Sequence, residues 1–331
     1  MRRAAPAIAL FFLAPLVAEY LLGDFTFAQL SFLVLLAPAY GGAAVLIREC
    51  TRRTGRGWPT MLLLALAYGV FEEGLETQSL FNPGYLNAHL LDRGYLPALG
   101  IAVPWTIFVL TLHTVWSMSV PIALIEQWRP DRRTTPWLGR LGRTVVTILA
   151  VLGAAGSFAI SYADGHYLAG AAQLTVTGLI VLALVVTALR LPRTRRPQAG
   201  PTPQPWQILA VTLIAGAVFE VGFRLPTVPA VIALVLAITT VTAALLTWTR
   251  RPGWTPMHTF AATAGALLTY TWHGFLATPV ATGPHILVPI SHIGFAVLAV
   301  LLLALEYRRV RTAPAAAAVP ATPRVPLSAT N

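Results

Sequence analysis

Apolar runs, each about as long as a helix that crosses a bilayer, recur along almost the whole chain and alternate with short connections rich in Arg. A span needs about 17 to 25 mostly apolar residues. Such stretches can be drawn at 4–22, 30–47, 58–76, 100–125, 145–162, 170–189, 207–223, 229–248, 257–277 and 286–306. In lipid each segment must satisfy its own backbone polar groups, so runs of this length become helices rather than open sheet. The expected fold is therefore all-α, a polytopic integral membrane bundle of about ten transmembrane helices. Composition agrees: 56% of the 331 residues are hydrophobic and 11% charged, against about 25% charged in soluble domains.

The net charge of +11 comes from Arg alone, because Lys is absent. With the N-terminus inside, Arg2, Arg3, Arg48, Arg52, Arg53, Arg56, Arg129, Arg132, Arg133, Arg140 and Arg143 fall in cytoplasmic segments. Arg190, Arg193, Arg195, Arg196, Arg250, Arg251, Arg308, Arg309, Arg311 and Arg324 continue the pattern, and only Arg93 and Arg224 fall outside it. That one-sidedness is what the positive-inside rule requires. It predicts a multi-pass cell-membrane protein of bacterial type with both termini cytoplasmic. Its charge meets anionic lipid headgroups. The Arg runs lack interleaved aromatics or a nucleic-acid-binding motif, so membrane lipids and no nucleic acid are the expected partners.

No segment outside the spans is long enough for a soluble domain, so residues 1–311 read as one transmembrane domain. The connection 190–206 mixes Arg and Pro and offers a subdivision into 1–189 and 207–311. Residues 312–331 are Pro- and Ala-rich and read as a disordered cytoplasmic tail. The longest outer loop, 77–99, carries Leu and Tyr enough to lie on the membrane surface or to act as a lid. Cys50 is the only cysteine, which excludes an intramolecular disulfide and a Cys-based metal cluster. The N-terminal run carries Glu19 and reads as a retained first helix rather than a cleaved leader.

Against this background Glu72, Glu73 and Glu76 stand out at the end of an apolar run. An acid at the bilayer centre costs roughly 2.5 to 3.5 kcal/mol even on the lower scales, so such residues mark a functional site by default. On an α-helix Glu72 and Glu76 share a face, while Glu73 points about 100° away. Two converging acids cannot easily ionise together, which readies one of them as a general base or proton donor. His113, deep in the next span, can orient a water or share a metal. The metal itself and any cofactor are left open. His166, His273 and His292 lie in outer halves and are further candidates, the last two able to meet across a short loop. Glu76 and Glu19 read as interfacial, and Glu220 with Arg224 as a helical ion pair at i,i+4.

With "FEEGLE", His113 on the next span and His166 near the start of the span after one more, the chain resembles the CPBP family of glutamic intramembrane proteases. That family includes CAAX prenyl endopeptidases and bacteriocin-processing, Abi-like proteins. Glu72 and Glu73 match the paired acids of its EExxxR motif, with Thr77 at the Arg position. Phe108 precedes His113 by five residues rather than the four of its FxxxH motif, and Gly170 ends the HxxxN or HxxxD motif begun by His166. The resemblance implies that Glu72 activates water for peptide attack, assisted by His113 and supported by Glu73. The same stretches also look like uncharacterised bacterial membrane proteins. Two functions follow as expectations: a carboxylate-dependent intramembrane hydrolase of a membrane peptide, or a proton- or cation-coupled transporter or binding protein for a small molecule.

Overall fold

A computed structural model describes residues 4–193, 196–281 and 283–312. The expected disordered tail, from residue 313 on, lies outside the described residues, as do Arg2, Arg3, Arg195 and Arg324. Ten principal helices fall on the apolar stretches: α1 (Ala5–Leu21), α2 (Phe27–Arg53), α3 (Trp58–Phe71, carried on through Glu72–Glu76) and α4 (Val103–Trp128). The rest are α5 (Arg140–Gly165), α6 (Ala171–Arg190), α7 (Pro205–Phe223), α8 (Thr227–Trp248), α9 (Pro256–His273) and α10 (Leu287–Thr312). Among the described residues, seven of them are long and apolar enough to cross a membrane: α2, α4, α5, α6, α7, α8 and α10. Helix α1 is shorter, α3 ends in Glu72, Glu73 and Glu76, and α9 carries His258, His273 and four Thr. The only strands among the described residues are β1 (Tyr95–Leu96) and β2 (Ile101–Ala102), paired antiparallel before α4.

Each of the first four helices loosens into a π turn: Leu16–Leu21, Ala37–Gly41, Glu72–Glu76 and His113–Ser119. Such turns bond i→i+5 and frequently mark functional sites. Proline explains three of them, because it removes one N–H and its ring clashes with the carbonyl four residues back. Pro15 precedes the first, Pro38 lies inside the second and Pro121 follows the fourth. Side chains help with the freed carbonyls, as where the Ser119 hydroxyl donates to Thr114 O at 2.7 Å. The third has no proline. There the Thr77 N–H and hydroxyl both donate to Glu72 O, at 2.8 and 3.1 Å.

Helices α1 to α4 pack on one another, α5 lies against α2, α6 against α3, and α7 to α10 close the side beyond α4 and α1. Gly41 permits the close approach of α2 to α1, where a Cβ would stand 1.8 Å from Phe11 O, and Gly69 that of α4 to α3, where one would stand 3.1 Å from His113 Cβ. One apolar core joins α1, α2, α3 and the end of α4; a second joins α1, α4, α7, α9 and α10 around Trp116, Phe219 and Tyr270. Helices of the earlier and later parts of the chain therefore share a core across the 190–206 connection. Exposed Leu, Ile and Val cover the outer faces of α5, α6 and α8, as lipid contact demands. The 77–99 loop is only partly superficial. Gln78, Ser79, Leu80, Phe81 and Asn82 are buried, with Gln78 Oε1 accepting from Ala169 N at 2.7 Å and Phe81 O from the Tyr167 hydroxyl at 3.0 Å.

Candidate functional site

The π turn of α4 packs on α3, and Glu72 and Glu73 at the end of α3 meet His113 there, all three buried. The imidazole lies between the two carboxylates. Its Nε2 is 2.6 Å from Glu73 Oε1 and its Nδ1 is 2.8 Å from Glu72 Oε2. The angular separation of adjacent residues on α3, read from sequence as sending Glu73 elsewhere, is what lets the two acids grip opposite edges of one ring. The expected Glu72–Glu76 convergence is thereby corrected. An i→i+5 period no longer aligns residues four apart. Glu76 turns toward Ser157 on α5 and is buried rather than interfacial.

The two carboxylates differ in their surroundings. Both oxygens of Glu73 are engaged: Oε1 by His113, Oε2 by the Ser79 hydroxyl and, at 3.4 Å, the Thr77 hydroxyl. Trp105 Nε1 donates in turn to Ser79 Oγ at 3.2 Å. Glu72 Oε1 accepts from the Tyr40 hydroxyl at 2.7 Å, but Oε2 approaches Nδ1 outside hydrogen-bond geometry and is a buried oxygen without a hydrogen-bond partner. Ser117 Oγ stands 3.1 Å from the same Nδ1. Tyr40 stacks on the His113 ring at 5.9 Å and Tyr68 meets it edge-on at 6.1 Å. Glu19, on the π turn of α1, hydrogen-bonds with Tyr40. A polar chain thus runs from Glu19 through Tyr40, Glu72, His113, Glu73 and Ser79 to Trp105, with one contribution from the π turn of each of the first four helices.

The charges in this chain do not balance. With a neutral ring Glu72, Glu73 and His113 sum to two negative charges, with a protonated ring to one, and Glu76 and Glu19 lie close by. Uncompensated charge in an apolar interior is costly, and protons or another cation would relieve it. The ligand atoms of Glu72, Glu73 and His113 all lie within 4.8 Å of one another, and two carboxylates with one imidazole are a donor set that zinc accepts.

The remaining candidates are dispersed. His166 ends α5 in a left-handed conformation, exposed, its ring against Tyr162. His273 and His292 are both buried, but His273 faces Glu220, with Nδ1 2.8 Å from Oε2, while His292 packs on Phe275. The Glu220–Arg224 ion pair read from the sequence is not formed, since Arg224 is exposed and Glu220 turns inward to α9.

Sequence reasoning also missed a second charged cluster, at the Arg-rich end. Arg48, wholly buried, donates to Glu126 at 3.0 Å, to Glu49 at 2.9 Å and to the carbonyls of Arg132 and Arg133 at 2.9 Å each. Its guanidinium lies 3.6 Å over the Trp137 ring. Arg52 reaches Glu126 at 2.5 Å, and Glu49 also accepts from the backbone N–H groups of Trp137 and Leu138. Arg48 and Arg52, read as topology charges in a loop, are helical residues that tie the 129–138 connection to α2. The adjacency of Glu49 to Arg48 was the signal available. Glu306 on α10 is a further buried acid that the sequence map passed over.

A family model described as an uncharacterized membrane protein family matches residues 8–321. The match is to that family and not to the glutamic intramembrane proteases. No curated protein and no solved structure matches the chain.

Proposed function

Because the chain belongs to this uncharacterized membrane protein family, whose description carries no activity, we propose from the geometry that it is a proton-coupled membrane transporter. In this reading the Glu72–His113–Glu73 unit is the proton-binding element, and the Arg-rich end faces the cytoplasm. One observation carries it: a single buried imidazole has a carboxylate within 2.8 Å of each ring nitrogen. Imidazole can take a proton at one nitrogen and release it from the other. Tyr40 and Ser79 extend the polar chain on either side. Intramembrane chains of Asp, Glu and His are the usual proton relays of pumps and transporters. The four π turns give the backbone around the unit a second hydrogen-bond register in which to shift.

Proton entry into liposomes that contain the purified chain and a pH-sensitive dye, driven by an imposed membrane potential, tests this. The wild type should conduct, and Glu72→Gln, Glu73→Gln and His113→Ala should each lose more than about tenfold while staying monodisperse. Undiminished flux in all three would sink the reading.

A hydrolase is the second reading, favoured by one atom. Glu72 Oε2 is buried beside His113 with no hydrogen-bond partner, as a base awaiting a water would be. His166, the third motif residue of the resemblance, is exposed at the end of α5 and stands outside the cluster. Cleavage of membrane peptides by the wild type in bilayers, lost in Glu72→Gln, would favour this reading over transport.

A further inference from the structure

Helices α7 and α9 run side by side in a parallel register set by small residues. A Cβ on Gly265 would stand 2.0 Å from Thr212 Oγ1, and one on Gly216 would stand 2.2 Å from Thr269 Oγ1. Thr212 thus faces Gly265 and, four residues on in both helices, Gly216 faces Thr269. Small residues at this spacing are what let helix backbones approach in lipid. One further turn along both helices, the same register delivers Glu220 to His273, 2.8 Å apart.

This pair is left unsatisfied. Glu220 is 2% exposed, yet both of its carboxyl oxygens lack a hydrogen-bond partner, as do His273 Nδ1 and the Tyr270 hydroxyl beside them. Buried polar atoms are almost always paired, and an exception calls for a role or an unseen ligand. Helix packing alone would be served by another small residue at position 220.

The pair also adjoins the first site. Trp116, on the π turn that carries His113, stacks on Tyr270 at 4.7 Å and donates to Ala266 O at 2.7 Å. The π turn of α1, which carries Glu19, packs on both the π turn of α4 and α9. Beyond it Gly23 and Leu21 lie against Gly274, next to His273, and Asp24 lies within electrostatic reach of both Glu19 and His273. Burial pushes the half-buried Asp24 carboxyl up to about 7. The other titratable or charged groups at this end are Tyr20, Tyr85, His292, the exposed Arg224, and Arg93, which donates to the carbonyls of Phe223 and Leu225 at the end of α7. Helix α8, packed on α7, has none.

We propose that Glu220 and His273 form a second proton-binding site, in the later part of the chain, that exchanges protons with the Glu72–His113–Glu73 unit through Glu19 and Asp24 on the outgoing end of α1. The exchange rests on the transporter reading, whereas proton binding at Glu220 does not. Between Glu19 and Glu72 the path passes the Tyr40 hydroxyl, and its other stages are acids or imidazoles within electrostatic reach of one another, so a proton moves by relay and no other reactant is needed.

Two measurements on the full chain in liposomes test the second site. A hydrophobic carbodiimide reacts with protonated carboxyls in apolar surroundings. Mass mapping of the wild type should show an adduct at Glu220 that falls as the buffer is made alkaline. No adduct at any pH would overturn the proposal without need of a variant. Infrared difference spectra between acid and alkaline buffer should contain a protonated-carboxyl band that Glu220→Gln removes and Glu72→Gln leaves. A spectrum unchanged by Glu220→Gln would also overturn it.

Flux separates the two claims. Asp24→Asn should lower proton entry more than about tenfold while keeping the Glu220 band, and undiminished flux would remove the connecting path. If Glu72→Gln leaves flux and spectrum untouched while the Glu220 band and adduct persist, the first-site reading has failed and the second site stands.

Discussion

Two buried clusters of charge lie about 20 Å apart along α4 at 1.5 Å per residue, one around Glu126 and one around His113, and they differ in how completely their carboxylates are paired. At the Arg-rich end, Arg48, Arg52 and Arg53 face Glu49 and Glu126, both carboxylates are hydrogen-bonded, and backbone groups of 132–138 complete the shell. Each carboxylate there meets two guanidiniums, and the product is a fixed connection between α2, α4 and the loop beyond. Around His113, acids outnumber bases. Glu72 and Glu73 meet one imidazole, Glu76 and Glu19 lie near it, and Glu72 Oε2 and Glu76 Oε2 have no hydrogen-bond partner. Such a cluster is relieved by protons or another cation, whereas the Arg-rich one supplies its own countercharge.

The largest test of this contrast is Arg48→Ala. It strips Glu126 of one buried partner and leaves Glu49 short of another, and breaking a buried pair costs about 3 to 5 kcal/mol. Unfolding in detergent should show that loss, and wild-type stability would mean the network is dispensable.

His113→Ala should come next, at about 1 to 3 kcal/mol for carboxylates left without their partner. The loss should be greater in alkaline buffer than in acid, because the buried acids can replace the lost imidazole with protons only when protons are plentiful. A deficit independent of pH would show that the ring is held for packing alone. Trp137→Leu removes the face beneath Arg48 and should cost about 1 to 2 kcal/mol, seen as a lowered unfolding temperature. Smallest of all should be the stability effect of Glu72→Gln, within about 0.5 kcal/mol of wild type, since it takes surplus charge away while proton flux collapses. A large destabilisation by Glu72→Gln would make the two clusters alike and end the comparison.

Some of the candidate site was legible before any coordinates. An acid in an apolar run is expensive wherever the helix lies, so Glu72, Glu73 and His113 could be picked out by residue type and depth. The role of Glu73 was not legible, because an ideal helix points it away from Glu72, and only the position of the His113 ring between them shows why both matter. The π turns were half legible. Pro15, Pro38 and Pro121 were visible as disturbances, but proline can equally kink a helix, and the choice of a wider turn depends on what the freed carbonyls meet.

Arg48 shows the opposite failure. Its position in an Arg-rich stretch fitted the one-sided charge pattern so well that its burial went unread. Glu220 failed in a third way: Arg224 stood at the favourable spacing on the same helix, and a local pairing rule cannot weigh a histidine about fifty residues away that packing brings nearer.

The sequence by itself determined that this chain is helical, apolar over spans of bilayer length, charged mainly between them, and unable to bury three clustered acids without a purpose. Those properties are local, set by side-chain transfer energies and backbone hydrogen bonding within one segment. Only the tertiary structure decided which acid meets which base. Glu73 reaches His113 because Gly69 lets α4 approach α3, and Glu220 reaches His273 because Gly216 and Gly265 set the register of α7 and α9. Contacts between helices depend on backbone approach and register, and those are properties of the pair of helices rather than of either sequence alone.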